Sequence, residues 1–106
     1  MADTPKLSVV IGTFNQITVL KKTLESLFKQ SLAPADYEIV LVDSFSTDGT
    51  DRLIEELRPP CRLNYLRVAN RGKTAARNAG IRAAQGKIIF LTDADMEADP
   101  NLLQEH

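Results

Sequence analysis

Two carboxylates stand one residue apart late in the chain, at Asp93 and Asp95. They follow the apolar run 88–91, whose β-branched and aromatic members predict a buried strand. Acids this close repel each other, and a divalent cation or a hydrogen-bonding ligand would relieve the repulsion. Carboxylate oxygens favour hard cations such as Mg²⁺ or Mn²⁺, with open positions for the phosphates of a ligand. The alternative is a solvated acidic turn ahead of a helix.

Basic residues crowd the segment just before this pair. Residues 57–92 contain no Asp or Glu but carry Arg58, Arg62, Arg67, Arg71, Lys73, Arg77, Arg82 and Lys87. Gly72 precedes a predicted helix, where Lys73 and Arg77 would suit phosphate oxygens. A set of solvated helix and loop arginines is the alternative. A P-loop is excluded because its first glycine would fall at Arg67.

An EF-hand is also excluded for the acidic pair. Ala98 stands where the loop glycine should be, and Gln104 stands where the bidentate glutamate should be. The paired acids therefore favour a metal site with open positions for the phosphates of a ligand over a calcium site in which the protein supplies all the ligands.

Length and composition limit the possible classes of protein. The chain has 106 residues, 43% hydrophobic and 25% charged, which is typical of one small globular domain. Its net charge of -1 does not favour nucleic acid as a partner. We expect no signal peptide and no transmembrane segment. The single cysteine, Cys61, fits a reducing compartment, so we expect a cytoplasmic protein. We assign no function to His106.

Short apolar strands alternate with helical patterns along the chain. Strands are predicted at residues 7–11, 37–42, 63–68 and 87–91. A helix begins near Thr18, a second follows a capping segment at 46–48, a third spans 73–85 with Gly86 at its end, and a last one starts at 99–100. This alternation predicts an α/β fold: a three-layer, Rossmann-like, mainly parallel sheet of about four strands with helices on both faces.

The carboxyl ends of parallel strands share one edge, where ligands of such sheets bind. The loops that must converge there are residues 12–15, 43–46, 69–73 and 92–95. Each has a simpler interpretation when taken alone. Thr13, Phe14 and Asn15 could form an ordinary turn, and Asp43 could cap its own loop. Together they would form a rim of the size of a nucleotide.

Four blocks resemble the N-terminal part of a family 2 glycosyltransferase with the GT-A fold. They are residues 7–15 (LSVVIGTFN), 38–43 with 46–50 (EIVLVD and STDGT), 70–80 (NRGKTAARNAG) and 90–95 (FLTDAD). Each block alone is weakly specific. All four occur in order and cover nearly the whole chain.

The resemblance implies a nucleoside-diphosphate sugar donor, UDP- or GDP-linked, and a divalent metal, Mn²⁺ or Mg²⁺. It implies a pocket between the ends of the adjacent first and fourth strands. The donor-binding residues would be Thr13, Phe14, Asn15, Asp43, Ser44, Lys73, Arg77, Asp93 and Ala94. Asp95, together with Asp93, would hold the metal on the diphosphate.

The chain departs from the family at three positions. Ser44 replaces an aspartate that meets the base in some members, Phe45 stands where glycine is usual, and Gly12 replaces a proline. The first two changes leave the base selectivity open.

No residue matches the family's catalytic base. We therefore expect residues 1–106 to be a single donor-binding domain of a longer glycosyltransferase, with little or no transfer by itself. The acceptor, a saccharide or a lipid-linked molecule, is not specified, and the full-length protein could associate with a membrane. The alternatives are a non-catalytic nucleotide-sugar-binding or regulatory module on the same scaffold and an unrelated doubly wound regulator.

Overall fold

Four parallel strands form one sheet in the computed structural model, which describes residues 5–30, 33–69 and 72–93. The strands are β1 (Leu7–Thr13), β2 (Tyr37–Asp43), β3 (Arg62–Arg67) and β4 (Ile88–Asp93). Their order is β3-β2-β1-β4, and every pairing is parallel. The predicted α/β class is thereby confirmed, as is the predicted adjacency of the first and fourth strands.

Three helices connect the strands and cover both faces of the sheet. They are α1 (Ile17–Phe28), α2 (Thr50–Glu56) and α3 (Lys73–Ala83), and a short 3-10 helix (Pro34–Asp36) precedes β2. α1 and α2 pack on one face, whereas α3 packs on the other. This division follows from right-handed crossovers, because the chain reverses its direction across the sheet before β4.

The two central strands carry most of the core. All seven residues of β2 are buried, as predicted for a strand with both faces covered. On the first face, β1 and β2 pack against the α1 stripe of Leu20, Leu24 and Leu27, none of which is exposed. These residues are spaced at i, i+4 and i+7, so one apolar face of α1 packs on the sheet.

Small residues on α3 let this helix lie close to the sheet. A Cβ on Gly80 would stand 2.3 Å from Val10 Cγ1 and 3.0 Å from Val42 Cγ2. Ala76 is buried in the same contact. The close packing of α3 on the sheet therefore depends on the absence of a side chain at residue 80.

The predicted end of α3 was wrong by two residues. The helix stops at Ala83, and Ala84 is extended, so Gly86 does not cap it. Gly86 instead passes the start of β1, where a Cβ would lie 2.7 Å from the Leu7 carbonyl carbon. Its N–H donates to Ser8 Oγ at 2.7 Å. The glycine is thus required by a close approach of two backbones.

β4 is not the buried strand that its composition predicts. Ile88, Ile89 and Leu91 are 50%, 39% and 41% exposed, and Phe90 packs on the core only in part. The reason is that β4 is an edge strand, while α3 packs on β1 and β2. Composition alone does not distinguish a covered strand from an uncovered one.

The last predicted helix, at 99–100, lies outside the described residues. Within the described ranges, none of the helices has both the length and the apolar character that a membrane span requires.

Candidate functional site

The ends of β1, β2 and β4 meet at one edge of the sheet. In the strand register Thr13 lies opposite Asp43, and Gly12 lies opposite Asp93. For Asp93 and Lys73, the structure describes only the main chain. The strand order reverses between β1 and β4, which is where ligands bind in sheets of this kind. The predicted convergence of these loops is therefore present for the parts that the structure describes.

Asp43 is fully buried and organises the loop that follows β2. Its Oδ1 accepts hydrogen bonds from the N–H of Ser46, at 2.9 Å, and from the Ser46 hydroxyl. Its Oδ2 accepts a hydrogen bond from the Tyr65 hydroxyl. Burial, followed by the Asp43 hydrogen bond and charge, raises the pKa of Tyr65, which stays protonated as the donor. Sequence reasoning had left open a capping function for Asp43 and had missed Tyr65 altogether.

The loops after β1 and β2 are joined into one unit. The N–H of Asn15 donates to Ser46 Oγ at 2.8 Å, and the N–H of Thr47 donates to Asn15 Oδ1 at 2.8 Å. The N–H of Ser44 donates to the Thr13 carbonyl at 3.0 Å. Asn15 adopts a φ of 50°, which asparagine tolerates better than most residues. The side chain of Asn15 is thus occupied in part by holding the rim together.

Thr13 and Ser44 are both buried at the rim. The Thr13 hydroxyl has no hydrogen-bond partner among the described residues. A buried hydroxyl without a partner is unfavourable, and a bound ligand or water would satisfy it.

Asp48 caps two helices at once. Its Oδ2 accepts from the N–H of Ile17, the first residue of α1, at 3.0 Å. Its Oδ1 accepts from the Thr50 hydroxyl at 2.7 Å and from the Thr50 N–H at 3.3 Å, at the start of α2. Burial alone would raise the pKa of Asp48, but these hydrogen bonds outweigh it and lower that pKa. The capping segment of α2 was predicted, whereas the link to α1 is a product of tertiary structure.

Two aromatic side chains stand out from the rim. Phe14 is 46% exposed and Phe45 is 57% exposed. The Arg67 guanidinium lies over the Phe45 ring, with Cζ 4.5 Å from the ring centroid. Phe45 was noted in the sequence only as a departure from a family pattern, and its exposure shows that the ring is accessible to a ligand.

α3 begins at this same edge. Gly72 precedes it with a φ of 97°, and the first helical residue is Lys73. Arg77 is exposed one turn later and forms no ion pair with any other described residue. Free N–H groups and the helix dipole at such an end favour anions. Asn70 and Arg71 lie outside the described residues.

The proposed metal ligands are only partly described. Ala94 and Asp95 lie outside the described residues, and the rest of the described chain has no cluster of three His, Cys, Asp or Glu that could hold an ion. The main chain of Asp93 pairs with Gly12, where an added Cβ would meet nothing within 4 Å. Among the described residues, nothing fills the space beside Gly12, and carboxylate oxygens suit a hard cation.

An apolar groove of about 400 Å³ lies at the opposite end of the sheet. It is lined by Pro5, Pro34, Ala35, Tyr37, Pro60, Cys61 and Arg62. Burial raises the pKa of the Cys61 thiol to about 11, so the thiol is protonated and unreactive at neutral pH. The groove brings together no chemistry comparable with that of the rim.

The fold and the rim define a doubly wound, parallel α/β domain, with polar loops at the carboxyl ends of the strands and a switch point beside β1. Within that class the chain belongs to the glycosyl transferase family 2, which it matches over residues 8–106. Its fold is the GT-A fold of structural neighbours such as TarS from Staphylococcus aureus.

Related proteins of named activity support this assignment. The chain is 35% identical to validoxylamine A glucosyltransferase from Streptomyces hygroscopicus subsp. limoneus, over 94% of this chain and 22% of that protein. It is 32% identical to the poly(ribitol-phosphate) β-N-acetylglucosaminyltransferase TarS, over 85% of this chain and 16% of that protein. The chain thus spans roughly a quarter or less of these two relatives.

Solved structures show which ligands the neighbours bind. Residues 1–349 of TarS in complex with UDP superpose with a TM-score of 0.88 at 29% identity, covering 94% of this chain and 30% of that TarS fragment. A mannosyltransferase from Pyrobaculum calidifontis, in complex with GDP-Man and Mn²⁺, has a TM-score of 0.80 at 34% identity. That match covers 86% of this chain and 28% of the mannosyltransferase.

Proposed function

We propose that residues 1–106 form a donor-binding domain of a glycosyltransferase, which binds a nucleoside-diphosphate sugar together with a divalent metal. The observation that carries the proposal is that Thr13 lies opposite Asp43, and Gly12 lies opposite Asp93, at the switch point of the sheet. The complexes of neighbouring structures with UDP and with GDP-Man and Mn²⁺ support the same ligand class.

Different rim residues would contact different parts of the donor. Thr13, Phe14, Asn15, Asp43 and Ser44 would surround the base and ribose. Asp43 already accepts three hydrogen bonds within the chain, so it would act mainly by keeping the loop in position. The buried Thr13 hydroxyl would gain a partner.

The diphosphate would lie against the start of α3. Lys73 and Arg77 would neutralise its charge, and the helix end would add N–H donors. Asp93 and Ala94 would contact the ribose or the sugar. Asp95, with Asp93, would hold Mn²⁺ or Mg²⁺, and the bound metal would stabilise the negative charge of the leaving nucleoside diphosphate.

Neither Asp43 nor Asp48 is placed as a base for an acceptor hydroxyl. Asp43 is buried and hydrogen-bonded, and Asp48 caps two helices. We therefore expect residues 1–106 to bind the donor without transferring the sugar, whose acceptor would be a saccharide or a lipid-linked molecule. A non-catalytic binding module would show the same donor binding within a full-length protein that transfers no sugar.

An NMR titration of the chain tests donor binding directly. UDP and GDP sugars are added with Mg²⁺, and backbone amide shifts are followed. We expect shifts at Thr13, Asp43 and Lys73. Replacing Mg²⁺ with paramagnetic Mn²⁺ should broaden the amides around Asp93 when the nucleotide is present.

The matched control is Asp95→Asn, which keeps the size of the side chain but removes its charge. This variant should lose the Mn²⁺ broadening near Asp93 and bind the donor more weakly. Shifts confined to the distant groove around Cys61, or no shifts at millimolar donor, would refute the proposed function.

A further inference from the structure

Phe45 holds an unusual position at the rim. Its φ is 64°, a region that is unfavourable for a bulky aromatic residue and natural for glycine. Its side chain is nevertheless 57% exposed, so burial of the ring does not repay the backbone strain. Strained residues of this kind cluster at functional sites, where a ligand uses the geometry that they impose.

The Phe45 ring is held from one side by Arg67. The Arg67 guanidinium stacks at 4.5 Å from the ring centroid, and one of its nitrogens donates to the Ser46 carbonyl at 2.6 Å. A second nitrogen lies 3.5 Å from a carboxylate oxygen of Asp51. Because Arg67 is anchored at two points and covers one ring face, the exposed area of Phe45 lies mainly on the other face and the edge.

The spacing of the strands sets the distance between Phe45 and the proposed metal site. Phe45 follows β2, and Asp93 ends β4. Two strand spacings of 4.7–4.9 Å separate those strands, which gives about 10 Å. A nucleoside diphosphate bridges such a gap between its base and its phosphates. A donor with its diphosphate and metal near Asp93 could therefore extend its base as far as the loop after β2, which carries Phe45.

We propose that the exposed face of Phe45 stacks on the nucleobase of the donor, with Arg67 fixing the ring from behind. The inference rests on the proposed donor binding and adds a specificity-determining residue to it. Every base presents a π face, so stacking accepts both pyrimidines and purines, and the larger purine gains more contact. Phe45 would therefore raise affinity for UDP and GDP, and more for GDP.

The first test compares Phe45→Gly with the unaltered chain, because glycine keeps the positive φ of the loop. Dissociation constants are measured with Mg²⁺ for UDP, GDP and inorganic pyrophosphate. We expect roughly a 5- to 100-fold loss for the nucleotides, larger for GDP, and no change for pyrophosphate. Equal nucleotide affinity in both proteins, or an equal loss for pyrophosphate, would overturn the stacking but not the donor site.

The second test uses fluorescence, since the chain contains no tryptophan. In Phe45→Trp the single indole should be quenched by UDP and GDP but not by pyrophosphate. The control is Ile81→Trp, at an exposed position near the other end of α3, whose emission should not respond.

Three results would count against the proposal. Emission that changes only with protein concentration would assign the ring to a contact between copies of the chain. Emission that does not change when nucleotides bind would refute the stacking but not the donor site. Failure of the unaltered chain to bind any nucleotide would refute the donor site and the stacking together.

Discussion

Single side chains in this protein connect loops that are far apart in sequence. Asp48 is the clearest case, because one carboxylate accepts hydrogen bonds from the first residues of both α1 and α2. Its negative charge also suits the positive ends of the two helix dipoles. Asp43 likewise connects the loop after β2 with β3, because it accepts hydrogen bonds from Ser46 and Tyr65. The rim is thus fixed before a ligand arrives.

The charge on Asp48 should make stability depend on pH. Its pKa is lowered in the folded chain from an ordinary value of 3.8, so its contribution is present above 3.8 and is lost as pH falls through the folded value. Compared with Asp48→Asn, the unaltered chain should be more stable at pH 7, and the difference should shrink as pH falls below 3.8. Urea unfolding at several pH values measures this.

Asp48→Ala serves as the control for the hydrogen bonds themselves. Losing the cap should cost about 1 kcal/mol, and no more, since the carboxylate is exposed to solvent. A difference between the unaltered chain and Asp48→Asn that is the same at pH 7 and at low pH would contradict the electrostatic account.

At the scale of elements, the close contact between α3 and the sheet positions the start of that helix at the rim. Gly80 allows Val10 and Val42 to approach, and Gly86 lets the chain turn back beside Ser8. The turn is also held by Glu38, whose Oε2 accepts from Ser8 Oγ at 2.6 Å and from the Gln85 N–H at 2.6 Å. α3 therefore begins at the rim and is anchored at its far end.

Gly80→Ala tests this packing because two effects oppose each other. Alanine gains roughly 1 kcal/mol over glycine in helix propensity. The added methyl group would stand 2.3 Å from Val10 Cγ1, and overpacking of this kind costs about 1–3 kcal/mol. We expect net destabilisation by denaturant unfolding.

The double variant Gly80→Ala with Val10→Ala separates the two terms. Removing the valine methyl groups should recover part of the loss, so the two changes should not add. If Gly80→Ala by itself raised the stability, the close approach of α3 to β1 would be wrong.

At the scale of the whole molecule, donor and metal binding should appear as added stability, since only the folded chain assembles the rim. A ligand at 100 times its dissociation constant stabilises the folded state by about 2.7 kcal/mol. For a domain of this size, the melting temperature should rise on the order of 10 °C with UDP and Mn²⁺.

Metal removal is the matching control for that measurement. Chelation with EDTA should cancel the metal-dependent part of the rise, and Asp95→Asn should lose it in the presence of Mn²⁺. A melting temperature that ignores UDP and Mn²⁺, or an Asp95→Asn variant that responds like the unaltered chain, would count against a metal-assisted donor site.

The sequence by itself determined the fold class and the order of the elements, because strand and helix periodicities are local properties of the chain. It also predicted that the loops after the strands share one rim, since the ends of parallel strands have to share an edge, and the described parts of these loops do so. The start of α3 at Lys73 was predicted correctly. The predicted end of this helix was wrong, because Gly86 donates a hydrogen bond to Ser8 at the start of β1 and does not cap the helix.

Only the tertiary structure decided which side chains are covered and which partners they find. β4 is apolar by composition but exposed, because coverage depends on where α3 packs. Asp43 and Tyr65 are 22 residues apart, and Asp48 and Ile17 are 31 apart, so no local pattern connects them. The contact between Phe45 and Arg67 likewise joins two residues that no local pattern connects. Pairings between strands and loops are set by long-range packing, which sequence periodicity does not encode.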